Sequence, residues 1–425
     1  MKSEENNISD NMARKKVALL MTVGTGIGEN KKKAREGLSQ AMFKSIRSRN
    51  PDLIILFGSE ESKFTVETLK DLYYEKNDEV LDFYEFIQID DIDSFEEYFN
   101  TIKSTVLELE DEYDIVIDYT YGTKTMTMSA AMVSMFFRKE LIFVGGKRKD
   151  GIVKRGTEKV QEQNLYPIYD SLLVEKIKES FNANRFQAAE TLLDGIVDEE
   201  IDKKAYYNLI NAYSYFDNVN YKKAEEYFDD KEFKREWPDL AEQFSKNKKS
   251  LTILNKENHG QKQYYILASL INNARRRFEE HKYDDAIARL YRSLALIGQI
   301  KLEEYGLDSS NIDISILKEK NVDENYINRL ESLRNKDGKI KIGLIRDFEV
   351  LGHIDENMGG FYLENEKRIL NIVKFRNSSI LAHGMEAKTA EEYEEFLEII
   401  MNVISVLDEK IFDYIEDTKF PEFEL

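Results

Sequence analysis

The chain has 425 residues, 33% of them charged and 42% apolar, with a net charge of −20, no cysteine and four histidines. Without cysteine there are no disulfides, no thiolate catalysis and no cysteine-ligated zinc, and the acidic balance argues against a broad duplex-DNA surface, whose affinity would come from lysines and arginines neutralising phosphates. The length implies two or three domains, each with its own core.

Residues 1–13 lack the apolar segment of a signal peptide and read as a disordered leader. No apolar run reaches the length of a membrane span, so a soluble cytoplasmic protein is expected. From there strands and helices alternate. Residues 16–23 form a strand that runs into Gly24-Thr25-Gly26-Ile27-Gly28, followed by a helical pattern over 31–47. Further strands are expected at 53–57, 83–89, 113–119 and 141–144, with helices at 63–73, 94–109 and 125–137. Such alternation defines βαβ units with right-handed crossovers and a mostly parallel sheet, whose ligands sit beyond the carboxyl ends of the strands. The turns at Gly24 and Gly122 both fall there.

The second of these turns lies in Asp118-Tyr119-Thr120-Tyr121-Gly122-Thr123-Lys124-Thr125-Met126, between an Ile- and Val-rich strand and a Met-, Ala- and Phe-rich helix. It offers backbone N–H groups, the Thr120 and Thr123 hydroxyls and one cation, Lys124, at a helix N-terminus, which is chemistry suited to phosphate. A tight strand-to-helix turn with threonine as N-cap reads the same way. A dinucleotide site is a rival, because Gly24, Gly26 and Gly28 approximate the glycine fingerprint. Against it, the third glycine falls one position early and the acid near the end of the second strand, Glu60, lies too far along the chain.

Gly24-Thr25-Gly26 after the first strand, with Asp118 to Met126 after the fourth, resembles the CARF domain, the CRISPR-associated Rossmann-like sensor of cyclic oligoadenylates. The resemblance covers residues 14–165 and implies a ligand site at Gly24, Thr25, Gly26, Thr120, Tyr121, Gly122, Thr123 and Lys124. Tyr121 stands where the family's second motif has a glycine, a change that would narrow the backbone cradle or stack an adenine. Lys147, Arg148, Lys149, Lys154 and Arg155 flank Gly145-Gly146 and Gly151 in an expected hairpin, either basic for a ligand or simply solvated.

Helical periodicity takes over from about residue 171. One pattern recurs there: Phe181, Phe186 and Ala189; Phe216, Tyr221 and Ala224; Phe278, Tyr283 and Ala286. It reads as a helix end, a short turn and a next helix whose alanine allows close packing, with a break expected at Trp237-Pro238. Amphipathic helices follow at 263–278 and 283–305. Arg275-Arg276-Arg277 is either an RNA-facing run or a solvated helix face. An acidic, glycine-spaced stretch over 308–357 separates these from helices at 363–381 and 390–414.

The helix at 363–381 contains Arg376, Asn377 and, seven residues after the arginine, His383 near its end. Two helical turns would place Arg376 and His383 on one face. Gly384 would be the residue after the helix end, and a histidine in the last turn is also favoured by the helix dipole. Of the other histidines, His259 and His281 fall in polar turns, His353 has no evident partner, and no spacing suggests a dedicated metal site.

Arg-Asn followed by five residues and His, in a C-terminal helical domain, looks like the HEPN ribonuclease motif. With the CARF-like first part, it implies a CARF–HEPN effector of type III CRISPR systems. The expected layout is an α/β sensor over 14–170, a helical connector over 171–260 and an all-α nuclease over 261–425. The resemblance further implies a homodimer, activated by a cyclic oligoadenylate of four or six adenylates, that cuts single-stranded RNA with Arg376, Asn377 and His383 and needs no metal or cofactor. A regulator that binds the cyclic nucleotide but cuts nothing remains the alternative.

Overall fold

The computed structural model describes residues 15–26, 31–149, 152–153 and 156–425. The leader expected over 1–13, Gly28, and Gly151, Lys154 and Arg155 of the basic hairpin lie outside them. The chain divides into two compact units, Met1–Leu172 and Leu173–Leu425.

In the first unit β1 (Lys16–Thr22), α1 (Lys31–Arg49), β2 (Leu53–Gly58), α2 (Lys63–Asn77), β3 (Tyr84–Gln88), α3 (Phe95–Leu109), β4 (Tyr113–Asp118), α4 (Lys124–Phe137) and β5 (Glu140–Gly145) alternate as expected. β6 (Arg148–Lys149) and β7 (Ile152–Val153) pair as the expected hairpin, β8 (Lys159–Gln163) follows, and α5 (Tyr166–Asn182) begins in this unit and ends in the second. The sheet runs β3-β2-β1-β4-β5-β8, parallel except for β8. β1 is apolar on both faces. Leu19 and Met21 join one core with Met42, Phe43, Val66 and Leu69 of α1 and α2, while Ala18 and Leu20 join the other with Tyr98, Ile102, Met126 and Ala130 of α3 and α4. Burial on both sides is why the strand reads as a continuous apolar run. β8 falls outside the expected strands. As a largely exposed edge it needs no apolar face, and its polar Lys-Val-Gln-Glu-Gln suits an edge that must not pair further.

The second unit is all helical: α6 (Phe186–Asp194), α7 (Lys203–Asp217), α8 (Tyr221–Tyr227), α9 (Asp230–Glu236), α10 (Ala241–Asn255), α11 (Lys262–Glu279), α12 (Tyr283–Glu304), α13 (Ile314–Glu319), α14 (Glu324–Glu331), α15 (Leu344–Ile354), α16 (Glu356–Ser378), α17 (Ala390–Leu407) and α18 (Ile411–Asp417). The recurring aromatic pattern marks three turns of one kind. Asn184, Val219 and His281 each take φ near +60° at the same place in the repeat, and the first and second aromatics pair at 5.4, 5.7 and 5.5 Å. The repeated alanine is fully buried in every copy.

Two cores fill the unit. One lies among α5 to α10 and takes in Phe423 from the C-terminal tail; the other lies among α11 to α18. Asn182 holds the tail from both sides, donating to the Phe423 carbonyl (2.8 Å) and accepting its N–H (2.9 Å).

Three of the helix assignments need correction. The stretch 308–357 contains α13, α14 and α15, and the helix expected from 363 begins at Glu356. A Cβ on Gly359 of α16 would lie 3.1 Å from the Gly352 backbone of α15, so the glycine pair lets the two helices approach closely. The last helix is two, α17 and α18, because the chain turns at Asp408, whose carboxylate accepts the Lys410 N–H (2.9 Å).

Asp347 of α15 is buried against Gly298 of α12, and neither carboxyl oxygen meets a hydrogen-bond partner among the described residues. Burial pushes its pKa from 3.8 up to about 6, with the nearby Ser309 hydroxyl pulling the other way. A carboxyl raised in the fold stabilises when protonated; that stability is complete below the unfolded value and is lost as pH rises through the folded one. The difference corresponds to about 3 kcal/mol. Asp347→Asn should therefore melt higher than the parent at pH 8 and no higher at pH 3.5. Equal melting at pH 8 would mean the buried charge costs nothing.

Candidate functional site

β1 and β4 are neighbours, and the crossovers from them lead to opposite faces of the sheet. The crevice beyond their carboxyl ends is therefore the topological switch point where open α/β sheets bind ligands. The two glycine turns meet there. A Cβ on Gly24 would sit 3.2 Å from the Gly122 nitrogen, and both Gly26 (φ +83°) and Gly122 (φ +114°) use backbone that side chains disfavour. Thr65 donates to the Gly24 carbonyl (2.9 Å), Ser62 to that of Val23 (2.8 Å), and Thr22 to that of Tyr121. The turns are thus held from below by hydroxyls.

The hydroxyls expected to meet a ligand are otherwise engaged. Thr120 donates to the Asp118 carboxylate and accepts the Val144 N–H (2.8 Å). Thr123 caps α4, accepting the Met126 N–H (3.3 Å). Asp118 is fully buried at the end of β4 and also receives Ser45 (2.5 Å) and the Thr120 N–H (2.9 Å). Burial raises its pKa against the pull of those donors. Tyr121 is buried in the core beneath the turn, so its ring cannot stack an adenine. What faces outward is half-buried Thr25, exposed Gly122 and exposed Lys124 at the first position of α4. The N–H groups of Gly24, Thr25, Gly26 and Gly122 have no acceptor among the described residues. Beside Lys124, a groove of about 490 Å³ is lined by Phe95, Thr125, Met128 and Met132.

In the helical unit α16 ends at Ser378, and Ser379 is extended (φ −76°, ψ 158°). The Arg376 and His383 side chains therefore do not share a helix face, and Gly384 does not cap the helix. Serines at a helix end offer the backbone other partners, and Ser378 bonds the Phe375 carbonyl (3.1 Å). The chain then folds back on itself. The His383 N–H donates to the Asn377 carbonyl (3.2 Å), Gly384 to Ser379 (3.2 Å) and Glu386 to Ser378 (3.0 Å). Arg376, Asn377 and His383 are still brought together, by a loop instead of a helix. Gly384 is its point of closest approach, where a Cβ would fall onto the Ser378 carbonyl.

The Arg376 guanidinium lies 4.9 Å above the Tyr291 ring of α12 and donates to the Asn377 side chain (3.2 Å). No carboxylate pairs with it among the described residues. His383 is exposed, as are Ile380, Leu381 and Met385 around it. Beneath the loop, the Lys388 side chain is 1% exposed; its ammonium donates to Ser378 (2.9 Å) and lies 3.5 Å from both Glu386 and Glu392. Lys388 thus ties the loop to the end of α16 and the start of α17. Sequence reasoning missed this arrangement, and the one local signal it carries is the Thr-x-x-Glu spacing of the Thr389 to Glu392 capping box.

The run at Arg275 to Arg277 is neither an RNA face nor a solvated one. Arg276 is buried on Asp217 (2.8 Å) and Arg277 on the same carboxylate (2.5 Å), while Arg275 bonds Asn272 (3.3 Å). His353 has a partner, the Tyr326 ring at 4.2 Å. Among the described residues no group of three or more His, Asp or Glu side chains is placed to hold a metal ion, and no helix is long and apolar enough to cross a membrane.

The sheet unit is CARF-like and the helical unit that follows it is HEPN-like. Residues 169–256 match the Csm6 6H domain family and residues 255–407, which include the whole Arg376 loop, match the Csm6 HEPN domain family. The chain belongs to the Csm6-type CARF–HEPN effector nucleases of type III CRISPR systems. The solved structure of Enterococcus italicus Csm6 bound to cyclic hexa-2'-fluoro-hexa-dAMP shares the fold at a TM-score of 0.60 and 14% identity, covering 94% of this chain and 97% of its own. Can2 from Sulfobacillus thermosulfidooxidans, solved in complex with cyclic tetra-adenylate, aligns with 50% of this chain and 65% of its own at 11% identity and a TM-score of 0.24. No curated protein matches the sequence.

Proposed function

We propose that the protein is a cyclic-oligoadenylate-activated endoribonuclease that cuts single-stranded RNA without a metal ion, as a cytoplasmic homodimer in antiviral defence. The sensor would occupy residues 14–170, the connector 171–260 and the nuclease 261–425. The observation that carries this reading is the return of exposed His383 to the side of Arg376 and Asn377, within the region that matches the HEPN family.

Metal-free RNA cleavage proceeds by attack of the ribose 2'-hydroxyl on its own phosphate. A proton must leave the nucleophile, another must reach the leaving oxygen, and the phosphorane charge needs a fixed cation. Histidine suits the proton steps and arginine the phosphate. One His383 cannot stand on both sides of an in-line displacement, so the site is composed from two protomers. Exposed Leu363 and Leu370 of α16 lie seven residues apart in line with Asn377, and Ile380, Leu381 and Met385 surround His383. An apolar stripe of that extent around a polar motif suits a two-fold interface that brings both loops together.

The activator would lie across the paired glycine turns, its phosphates on the free N–H groups and Lys124 and a base against Met128 and Met132. Two copies of the site across the same axis match a symmetric ring. Six adenylates are the first choice, since the relative that shares the whole fold holds a six-membered analogue; four is the other arm of the test. Cleavage of a fluorogenic single-stranded RNA, with EDTA and with or without each ring, tests the whole reading. No cleavage with either ring would leave a ligand-binding regulator. Lys124→Ala should lose activation by either ring while melting like the parent, and unchanged calorimetric binding by that variant would remove Lys124 from the site.

A further inference from the structure

Tyr291 lines a cleft of about 330 Å³ that no part of the proposed chemistry uses. Tyr291 forms one wall and also carries the Arg376 guanidinium on its ring, so the cleft and the motif arginine share a side chain. Arg329 of α14 and Arg346 of α15 line it, together with Gly343, Leu344 and Ile345. Glu349 is the acidic residue in the lining.

What distinguishes these two arginines is that both are unpaired and both line the same cleft. Several other arginines of this unit are neutralised, Arg276 and Arg277 by Asp217, Arg289 by Asp285, Arg334 by Glu331, and Arg368 by Glu395 and Glu398, whereas Arg275 and Arg292 bond only the amides of Asn272 and Gln299. Arg329, Arg346 and Arg376 have no carboxylate within ion-pair distance among the described residues, and Glu349 pairs with neither cleft arginine. In a chain of net charge −20, unpaired guanidinium groups gathered along one surface path make a local anion track. At the C-terminal end of α15, exposed His353 lies on the Tyr326 ring at 4.2 Å, and Tyr326 feels the charge of Glu349 first and then those of Arg329 and Arg346. Cations along a groove are how proteins track the backbone of a single strand without reading its sequence.

We propose that this cleft is a substrate subsite that takes backbone phosphates of the single-stranded RNA a few nucleotides from the bond cut at Arg376 and His383. The proposal rests on the nuclease reading above. Arg329 and Arg346 grip the strand and take no part in the chemistry. They supply affinity that the loop itself, with a single cation per chain, lacks.

The test measures binding of a fluorescein-labelled single-stranded RNA to full-length His383→Ala protein by polarisation over a range of salt, alone and with Arg329→Gln or Arg346→Gln added. Each added change should weaken binding severalfold and lower the slope of log affinity against log salt by about 0.7, the value for one phosphate contact on a single strand. Arg329→Lys should keep the slope. Arg334→Gln, which removes an exposed arginine already paired with Glu331, should change neither quantity. In cleavage-competent protein the glutamine variants should raise KM instead of lowering kcat. Unchanged affinity and slope in both variants overturn the proposal, as does a loss confined to kcat or an absence of RNA binding by the His383→Ala protein. If the parent cuts no RNA with activator, the nuclease reading fails on its own, and the polarisation series still decides whether the cleft holds a strand.

Discussion

Replacing His383 with alanine should reduce RNA cleavage by about 10² to 10⁴-fold, the range general acid–base groups contribute, and leave activator binding as it was. The loop supports that separation. His383 contributes only its backbone N–H to the fold, in the bond to Asn377, and alanine keeps that bond. His383 is an exposed residue. The measurement is single-turnover cleavage at saturating activator, with calorimetry on the same preparation. Products should end in 2',3'-cyclic phosphates and should form in EDTA. Cleavage at the parent rate by the alanine variant would remove His383 from the chemistry, and cleavage abolished by chelator would replace the mechanism altogether.

Much of this arrangement was legible in the residues, for reasons that differ between the two units. The parallel sheet could be read because β1 and β4 are apolar on both faces, a pattern that half-exposed strands do not give. The pairing of Gly24 with Gly122 followed from placing both turns at strand ends, although the direct contact between their backbones did not. The three aromatic repeats could be read because a fixed spacing of Phe, Tyr or Phe, and Ala is the record of one turn geometry used three times. Other features had no local signature. Arginine and histidine seven apart fit a helix face as well as a loop, and the choice between them depended on Gly384 packing against Ser378. Thr120 carries a hydroxyl that any reading would offer to a ligand; Asp118, two residues earlier, claims it from inside. Arg276 and Arg277 looked solvated because their partner, Asp217, lies on another helix about sixty residues away.

That partner carries the largest stability effect expected in the molecule. Asp217 ends α7, and its carboxylate receives Arg276 (2.8 Å), Arg277 (2.5 Å) and the Asn273 side chain (2.9 Å), all three from α11; Asn273 also donates to its carbonyl (2.6 Å). The Asn273 oxygen in turn accepts Arg289 of α12. Phe420, from the C-terminal tail, covers the Arg276 guanidinium at 3.7 Å. The cluster therefore joins the core of α5 to α10 to that of α11 to α18. Arg276 is 6% exposed, and burial lowers its pKa against the pull of Asp217. Forming such a pair brings little net stability, because desolvation offsets the attraction. Breaking it from one side leaves a charge buried without an opposite, at a cost of about 3 to 5 kcal/mol. Asp217→Ala should lower the urea midpoint by the corresponding amount, read through the fluorescence of Trp237, the chain's single tryptophan and a member of the α5 to α10 core. Asp217→Asn, which keeps an acceptor and loses the charge, should fall between the two. A midpoint in the alanine variant equal to the parent's would mean that water reaches Arg276, and the buried network would then not be what joins the two cores.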